Sequence, residues 1–283
     1  MAISGKEIQN IQTIAVKEFK DNLKSKRFII LGIFYFGFAL LLTFAVVMMT
    51  RTESFKPHMV LAIMSNLNIV LALLAVIVSS DTISMERKDR TILQLLSKPV
   101  DRSSVIFGKF LGCLSVVAAL FLASAIFAYL ATAVLTGKYP AAGDLLPVAG
   151  GLISMVLMLS VYVAIGVLIS TVTKNPFISI IGSIMAWIGL WFSSIIGNIV
   201  GYNVASGGAI FFLGGFEDYP IYAKIMVWID PLAHDIMPQL LDPAMEQTAV
   251  GMPLWANVVF LVVYTAVLLI ISILLFENQD MSA

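Results

Sequence analysis

Six long runs of apolar residues, parted by short polar segments, make up most of the chain. They fall at about Phe28–Met49, Met59–Ser79, Ser103–Leu135, Pro147–Ser170, Phe177–Val200 and Leu254–Phe276. A helix needs roughly 20 apolar residues to cross a bilayer, and each run meets that length. In hydrocarbon every backbone N–H and C=O must be paired within the segment or within a closed barrel, so runs this long predict helices. Ahead of them, Lys6–Lys24 has a helical period instead. At roughly 100° per residue, Ile8, Ile11, Ala15, Val16, Phe19 and Leu23 gather within an arc of about 140°, beside Lys17, Lys20 and Lys24. Gln12 and Asn22 interrupt that face. The pattern predicts an amphipathic helix in the membrane interface, its lysines toward anionic lipid headgroups; a helix docked on a soluble partner is the alternative.

Composition agrees with the pattern. Over 283 residues the mean hydropathy is +0.98 and 12% of residues are charged, against roughly 25% in soluble domains. The fold class expected is an all-α polytopic membrane protein with six transmembrane helices. Three parts are expected: a cytoplasmic amphipathic helix over 1–27, a membrane domain over 28–276 with a loop at 80–104 and an external segment at 201–253, and a cytoplasmic tail over 277–283.

Lysine and arginine set the orientation. Lys6, Lys17, Lys20, Lys24, Lys26 and Arg27 precede the first run. Arg87, Lys88, Arg90, Lys98, Arg102 and Lys109 surround the second loop, and Lys174 sits in the fourth. The opposite loops hold only Arg51, Lys56, Lys138 and Lys224 of the 17 basic residues. Both termini are therefore expected in the cytoplasm, with the chain a multi-pass protein of the cell membrane. The first run is too long for the core of a signal peptide and reads as an uncleaved anchor. A net charge of zero gives no basic patch for nucleic acid. The single cysteine, Cys113, lies inside the third run and excludes an intramolecular disulfide framework.

Ser80–Ser104 is the most informative segment. It begins charged and helix-compatible, then places Ile92, Leu95 and Leu96 at i, i+3, i+4 as an apolar patch. Pro99 ends that helix, and Asp101, Ser103 and Ser104 offer capping groups for the next. Such a helix suits a groove on a partner; an ordinary solvated hairpin is the alternative. In detail the loop resembles the ABC-2 family of ABC-transporter permeases. That family has a glutamate, then Gly-Thr, a Leu-Leu pair, a proline, an arginine and a Gly-Lys opening the third span. Glu86, Thr91, Leu95-Leu96, Pro99, Arg102 and Gly108-Lys109 match, with Arg90 in place of the glycine before the threonine. Lys17-Glu18-Phe19 and the following Lys26-Arg27-Phe28 look like the family's elbow helix. The six-span layout is similar to the permeases of nitrous-oxide-reductase maturation systems.

The resemblance implies a permease that pairs with a second protomer, identical or homologous, and binds two copies of a separate ATP-binding subunit. ATP and Mg would sit on that subunit, with no cofactor on this chain. Glu86, Arg90, Thr91, Leu95, Leu96, Pro99 and Arg102 would form the coupling contact, and Lys17, Glu18, Phe19 and Arg27 the elbow.

Several chemistries lack their residues. Ser103 stands where a Walker A glycine belongs and Phe110 follows Lys109, so no P-loop is present. No zinc-protease or nucleophile-elbow motif appears, and no catalytic residue is expected. His234-Asp235 near Asp230 is too thin a set for a metal site. Apart from Lys109 the six runs carry no ionisable side chain of the Asp, Glu, Lys, Arg or His type. Ion-coupled carriers commonly place such groups there, so an exporter of apolar or amphipathic cargo fits better. A channel or secondary carrier without an ATPase, and a membrane assembly factor, remain as alternatives. In the fifth run Gly189, Ser193, Gly197 and Gly201 recur every four residues, a spacing that lets helices approach closely. Gly189, Ser193 and Gly197 are the expected protomer interface, with packing inside one protomer as the alternative. Ile221, Ile225 and Trp228 share a helical face and suggest interfacial or re-entrant helices in the 201–253 segment.

Overall fold

The computed structural model describes residues 5–49, 56–89, 101–139, 141–206, 216–241 and 250–278. Arg90, Thr91, Leu95, Leu96 and Pro99 lie outside the described residues. An N-terminal helix α1 (Gly5–Lys24) leads into α2 (Lys26–Met49), the first span. The second span is broken into α3 (Met59–Met64), a 3-10 turn, and α4 (Asn68–Ser79), and after a tight turn the short α5 (Ser84–Lys88) follows. Next come α6 (Arg102–Thr136), α7 (Leu145–Val172) and α8 (Pro176–Ala205). Two short helices, α9 (Ile221–Trp228) and α10 (Met237–Leu241), precede the last span, α11 (Leu254–Glu277). Among the described residues six helical segments are long and apolar enough to cross a membrane, so the chain is a multi-pass, all-α membrane protein.

Local chemistry sets the ends of the long helices. Asp101 enters α6 with extended backbone, and Gly137 closes it at φ 67°, a left-handed conformation that glycine adopts without a Cβ clash. Asn175 caps α8 by accepting from Phe177 N at 2.9 Å, and Pro176 occupies the first helical position, where its missing N–H costs nothing.

The second and fourth spans form the centre. In their most apolar stretches 61% and 67% of residues are buried, against 11% in the fifth span and 17% in the sixth. A helix enclosed on all sides is apolar all round, and α7 buries Met155, Met158, Tyr162, Val163 and Val167 on different faces. At Gly166 an added Cβ would lie 2.0 Å from Ser79 Oγ and 3.1 Å from Val76 O, so α4 and α7 meet where any side chain would collide.

The segment after α8 folds back onto the bundle. α9 packs on α8, and α10 packs on α7 and α3. Interfacial or re-entrant short helices were the expectation; the face of α9 that packs on the bundle is the one opposite Ile221 and Ile225. Ala223 and Val227 are buried, while Ile221 and Ile225 are exposed. The smaller face seats because it meets Gly197, whose lack of a side chain admits close contact; Gly201 does the same for the Tyr219 ring just before α9.

Candidate functional site

At the end of the bundle that carries α1, Lys109 is the fulcrum. It lies on the second turn of α6 and is 1% exposed. Its ammonium lies 3.2 Å from Glu18 Oε2 of α1 and 3.0 Å from Glu86 Oε1 of α5, and donates to Thr82 O at 2.7 Å. An ammonium has three donors, and three acceptors from three segments meet it. Lys17 approaches Glu86 Oε1 at 3.6 Å, which balances two cations against two carboxylates. Burial pushes the Glu18 carboxyl above its ordinary range, against the pull of Lys109.

The placement of Lys109 depends on two glycines. A Cβ at Gly108 would sit 2.7 Å from Ile14, and one at Gly112 2.8 Å from Ala15 O. Helix α1 therefore lies directly on the backbone of α6. Its packed face is rotated from the expected one: Ile11, Ala15 and Phe19 of that face turn inward beside Ile14 and Glu18, while Ile8, Val16 and Leu23 stay exposed. Asn22, a blemish in the sequence pattern, donates to Glu18 O at 3.1 Å and approaches Cys113 Sγ at 3.6 Å. Polar groups are tolerated on this face because they have partners.

Further contacts bind the same end together. Arg27, at the mouth of α2, bonds Asp81 at 2.5 Å in the turn after α4. Ser170 Oγ accepts from both Ile83 N (2.9 Å) and Ser84 N (3.1 Å), and Ser179 Oγ donates to Ser80 O. Arg102 donates to the carbonyls of Phe276 (3.2 Å) and Glu277 (2.7 Å), the open C-terminal end of α11. A cation there satisfies carbonyls that a helix leaves unpaired.

Of the residues singled out in the sequence, Lys17, Glu18 and Glu86 thus meet in one cluster. Phe19 packs against the core; Arg27 and Arg102 stand at neighbouring joints. Lys109 stood out as the one ionisable side chain within the six runs and as part of the Gly-Lys pair but was given no partner, and Asp81 and Thr82 were not singled out. A lone lysine on the second turn of an apolar run was the available signal, since an ion in that setting needs a partner.

A second polar cluster lies where the 201–253 segment folds back. Tyr162 OH donates to Asp230 Oδ1 at 2.8 Å, and the same oxygen accepts from Leu232 N at 3.1 Å. Asn68 donates to Asp235 Oδ2 at 2.5 Å. His234 engages both ring nitrogens, with Asn257 Oδ1 and Trp228 O each at 2.8 Å. Burial raises the Asp230 carboxyl, lifts Asp235 to about 6 and lowers His234. Asn66, Ser194 and Trp191 join the two aspartates around a cavity of about 330 Å³. Among the described residues no group of three His, Cys, Asp or Glu side chains is placed to hold a metal. His234 is fully buried.

On α8, Ser193 Oγ donates to Met226 O at 2.9 Å, and a Cβ at Gly197 would lie 2.8 Å from Ala223 O. The small-residue stripe therefore serves contact within the chain at these two positions. Gly189 has nothing within 4 Å of its Cβ direction.

A family profile described as "ABC-2 family transporter protein" matches residues 12–281. No curated protein matches the sequence significantly.

Proposed function

Because this chain belongs to the ABC-2 family of transporter proteins, whose members are non-catalytic transport subunits, we propose that it is the permease of an ATP-driven exporter. In this reading two protomers, identical or homologous, form the path, and two separate subunits bind ATP and Mg. Residues 1–27 are the cytoplasmic elbow, 28–276 the membrane domain and 277–283 a cytoplasmic tail. The system is similar in kind to those serving nitrous-oxide-reductase maturation.

The observation that carries the proposal is the three-way contact at Lys109. The loop at 80–104 enters through Glu86, the elbow through Glu18, and both act on one buried ammonium in the third span. Charges in so enclosed a site interact strongly and have few other partners. Displacing the loop therefore displaces α1 and α6 with it. A nucleotide-driven push on Arg90, Thr91, Leu95, Leu96 and Pro99 would reach the spans by that route, as a rigid-body shift of packed elements. Arg102 extends it to the sixth span.

The test is a pull-down of the ATP-binding subunit together with ATPase rate and membrane abundance. Leu95→Asp places an unpaired charge in an apolar contact and releases the subunit. Glu86→Ala leaves the subunit bound but uncouples ATPase rate from cargo. Normal binding and parental transport in both variants would count against the coupling role and in favour of a channel or carrier.

Of the three positions expected at the protomer seam, Ser193 and Gly197 are taken up by α9, and the seam is proposed to run along α8 at Gly189, which nothing covers. Gly189→Leu should lower cross-linked dimer with little loss of monomer stability. Gly197→Leu should instead destabilise the fold, by about 1–3 kcal/mol, because its side chain collides with α9. Thermal unfolding and cross-linking on the same samples separate the two. Parental dimer levels in Gly189→Leu would place the seam elsewhere.

A further inference from the structure

A groove of about 430 Å³ runs along the outer side of the first span, between α2, the end of α1 and α6. Its lining is wholly apolar. Leu23 of α1, Phe28 and Phe36 of α2 and Leu120 of α6 are among the residues that line it. The groove exists because α2 has glycine at two positions that face it, Gly32 and Gly37. A Cβ at Gly32 would make ordinary contact with Leu120 at 3.5 Å, and one at Gly37 would meet nothing within 4 Å. Neither glycine is required by the packing of this chain, so the space they leave is open to another molecule.

We infer that this groove holds one acyl chain of an anionic phospholipid, whose headgroup is bound by Lys24 and Lys26. Three observations converge on that occupant. The first is length. From Lys26 to Phe36 the helix rises by about 15 Å at roughly 1.5 Å per residue. That is half of a hydrocarbon core of about 30 Å, the depth of one leaflet. The second is register. Lys26, Ile29, Ile33 and Gly37 follow a spacing of three or four residues and so lie on one stripe of α2. Lys26 is exposed and begins the stripe that Ile29, Ile33 and Gly37 carry along the groove. The third is charge. Arg27 is committed to Asp81, and among the described residues no ion pair is recorded for Lys24 or Lys26. Lys20 and Asp21, earlier on α1, cancel in formal charge. The mouth is cationic and the groove apolar, which matches a lipid phosphate above an acyl chain and does not match a soluble peptide.

Native mass spectrometry of the purified full chain tests this. The probes are palmitoyl-oleoyl phosphatidylglycerol and the matching phosphatidylcholine, supplied in equal amounts. The parental protein should retain phosphatidylglycerol by about five-fold per lysine over phosphatidylcholine. The Lys24→Gln, Lys26→Gln double variant should retain the two lipids equally. Gly37→Leu fills the groove without a clash and should lower retention of both lipids at an unchanged melting temperature. Equal retention of the two lipids by the parental protein overturns the proposal, as does unchanged retention in Gly37→Leu. So does efficient disulfide cross-linking of Gly37→Cys between two chains in native membranes, which would mean that a second copy covers the groove.

Discussion

Replacing Lys109 by Met should remove most of the folded protein. The methionine fills nearly the same volume but leaves Glu18 and Glu86 facing each other, their side chains 13% and 16% exposed. Stranding buried partners of an ion pair costs about 3–5 kcal/mol, a large share of the roughly 5–15 kcal/mol that holds a domain together. Membrane abundance and thermal unfolding in detergent measure it. The sign of the pH dependence follows from Glu18. Its carboxyl is already raised by burial, and losing the ammonium removes the force that lowered it. A carboxyl with a raised folded pKa binds its proton more tightly folded than unfolded, so stability is lost as pH rises through that value. The variant should recover stability as pH falls from neutral toward the ordinary glutamate value of 4.5. Adding Glu18→Gln and Glu86→Gln removes the stranded charges and should restore the fold at neutral pH, yet leave transport uncoupled. Parental stability of Lys109→Met at neutral pH would show that the cluster holds nothing together. Full recovery of transport in the triple variant would reduce the cluster to a structural role.

Asp230→Ala should destabilise the opposite end by about 2–4 kcal/mol, since it leaves the buried Tyr162 hydroxyl and the Leu232 N–H without their acceptor. Tyr162→Phe should cost less, about 1–2 kcal/mol, because Asp230 keeps its backbone partner. The two changes share one hydrogen bond and should not add: a double-mutant cycle should give a coupling of about 1–3 kcal/mol. Asp230→Asn supplies the same acceptor without the charge that burial already disfavours, and should stay close to the parent. Denaturant unfolding of the parent and the four variants decides the matter. An additive cycle, or an Asp230→Ala loss under about 0.5 kcal/mol, would remove this bond from the anchors of the 201–253 segment.

The spans were legible because nothing competes with their signal: an uninterrupted apolar run of about 20 residues has no soluble explanation. The short helices were harder. In α9 the spacing of Ile221, Ile225 and Trp228 marked an apolar face without saying what it meets, and the packing uses Ala223 and Val227 on another. In a membrane both faces can be apolar, so hydropathy no longer marks the inside, and small size against Gly197 decides. The same reason hid the inward face of α1, where Glu18 and Asn22 are bound and Val16 and Leu23 are left outside. The polar cluster at Lys109 joins residues 18, 82, 86 and 109, and pairing across such separations leaves no trace in a single sequence. A lone ion or amide inside an apolar run, such as Lys109, Asn68 or Asn257, does announce that a partner exists without saying which.

The bond between Glu18 and Lys109 spans 91 residues, and this orders the birth of the protein. At about 5–20 residues per second, a ribosome needs roughly 5–20 s to reach Lys109 after Glu18 has emerged. Through that interval α1 has no α6 to rest on. Its exposed side, with Ile8, Val16 and Leu23, is apolar enough to lie on a lipid surface, and its glutamate still faces water. Helix α1 is thus translated first and seated after the third span is inserted, when two glycines open the place for it. Assembly of this end proceeds backwards along the chain.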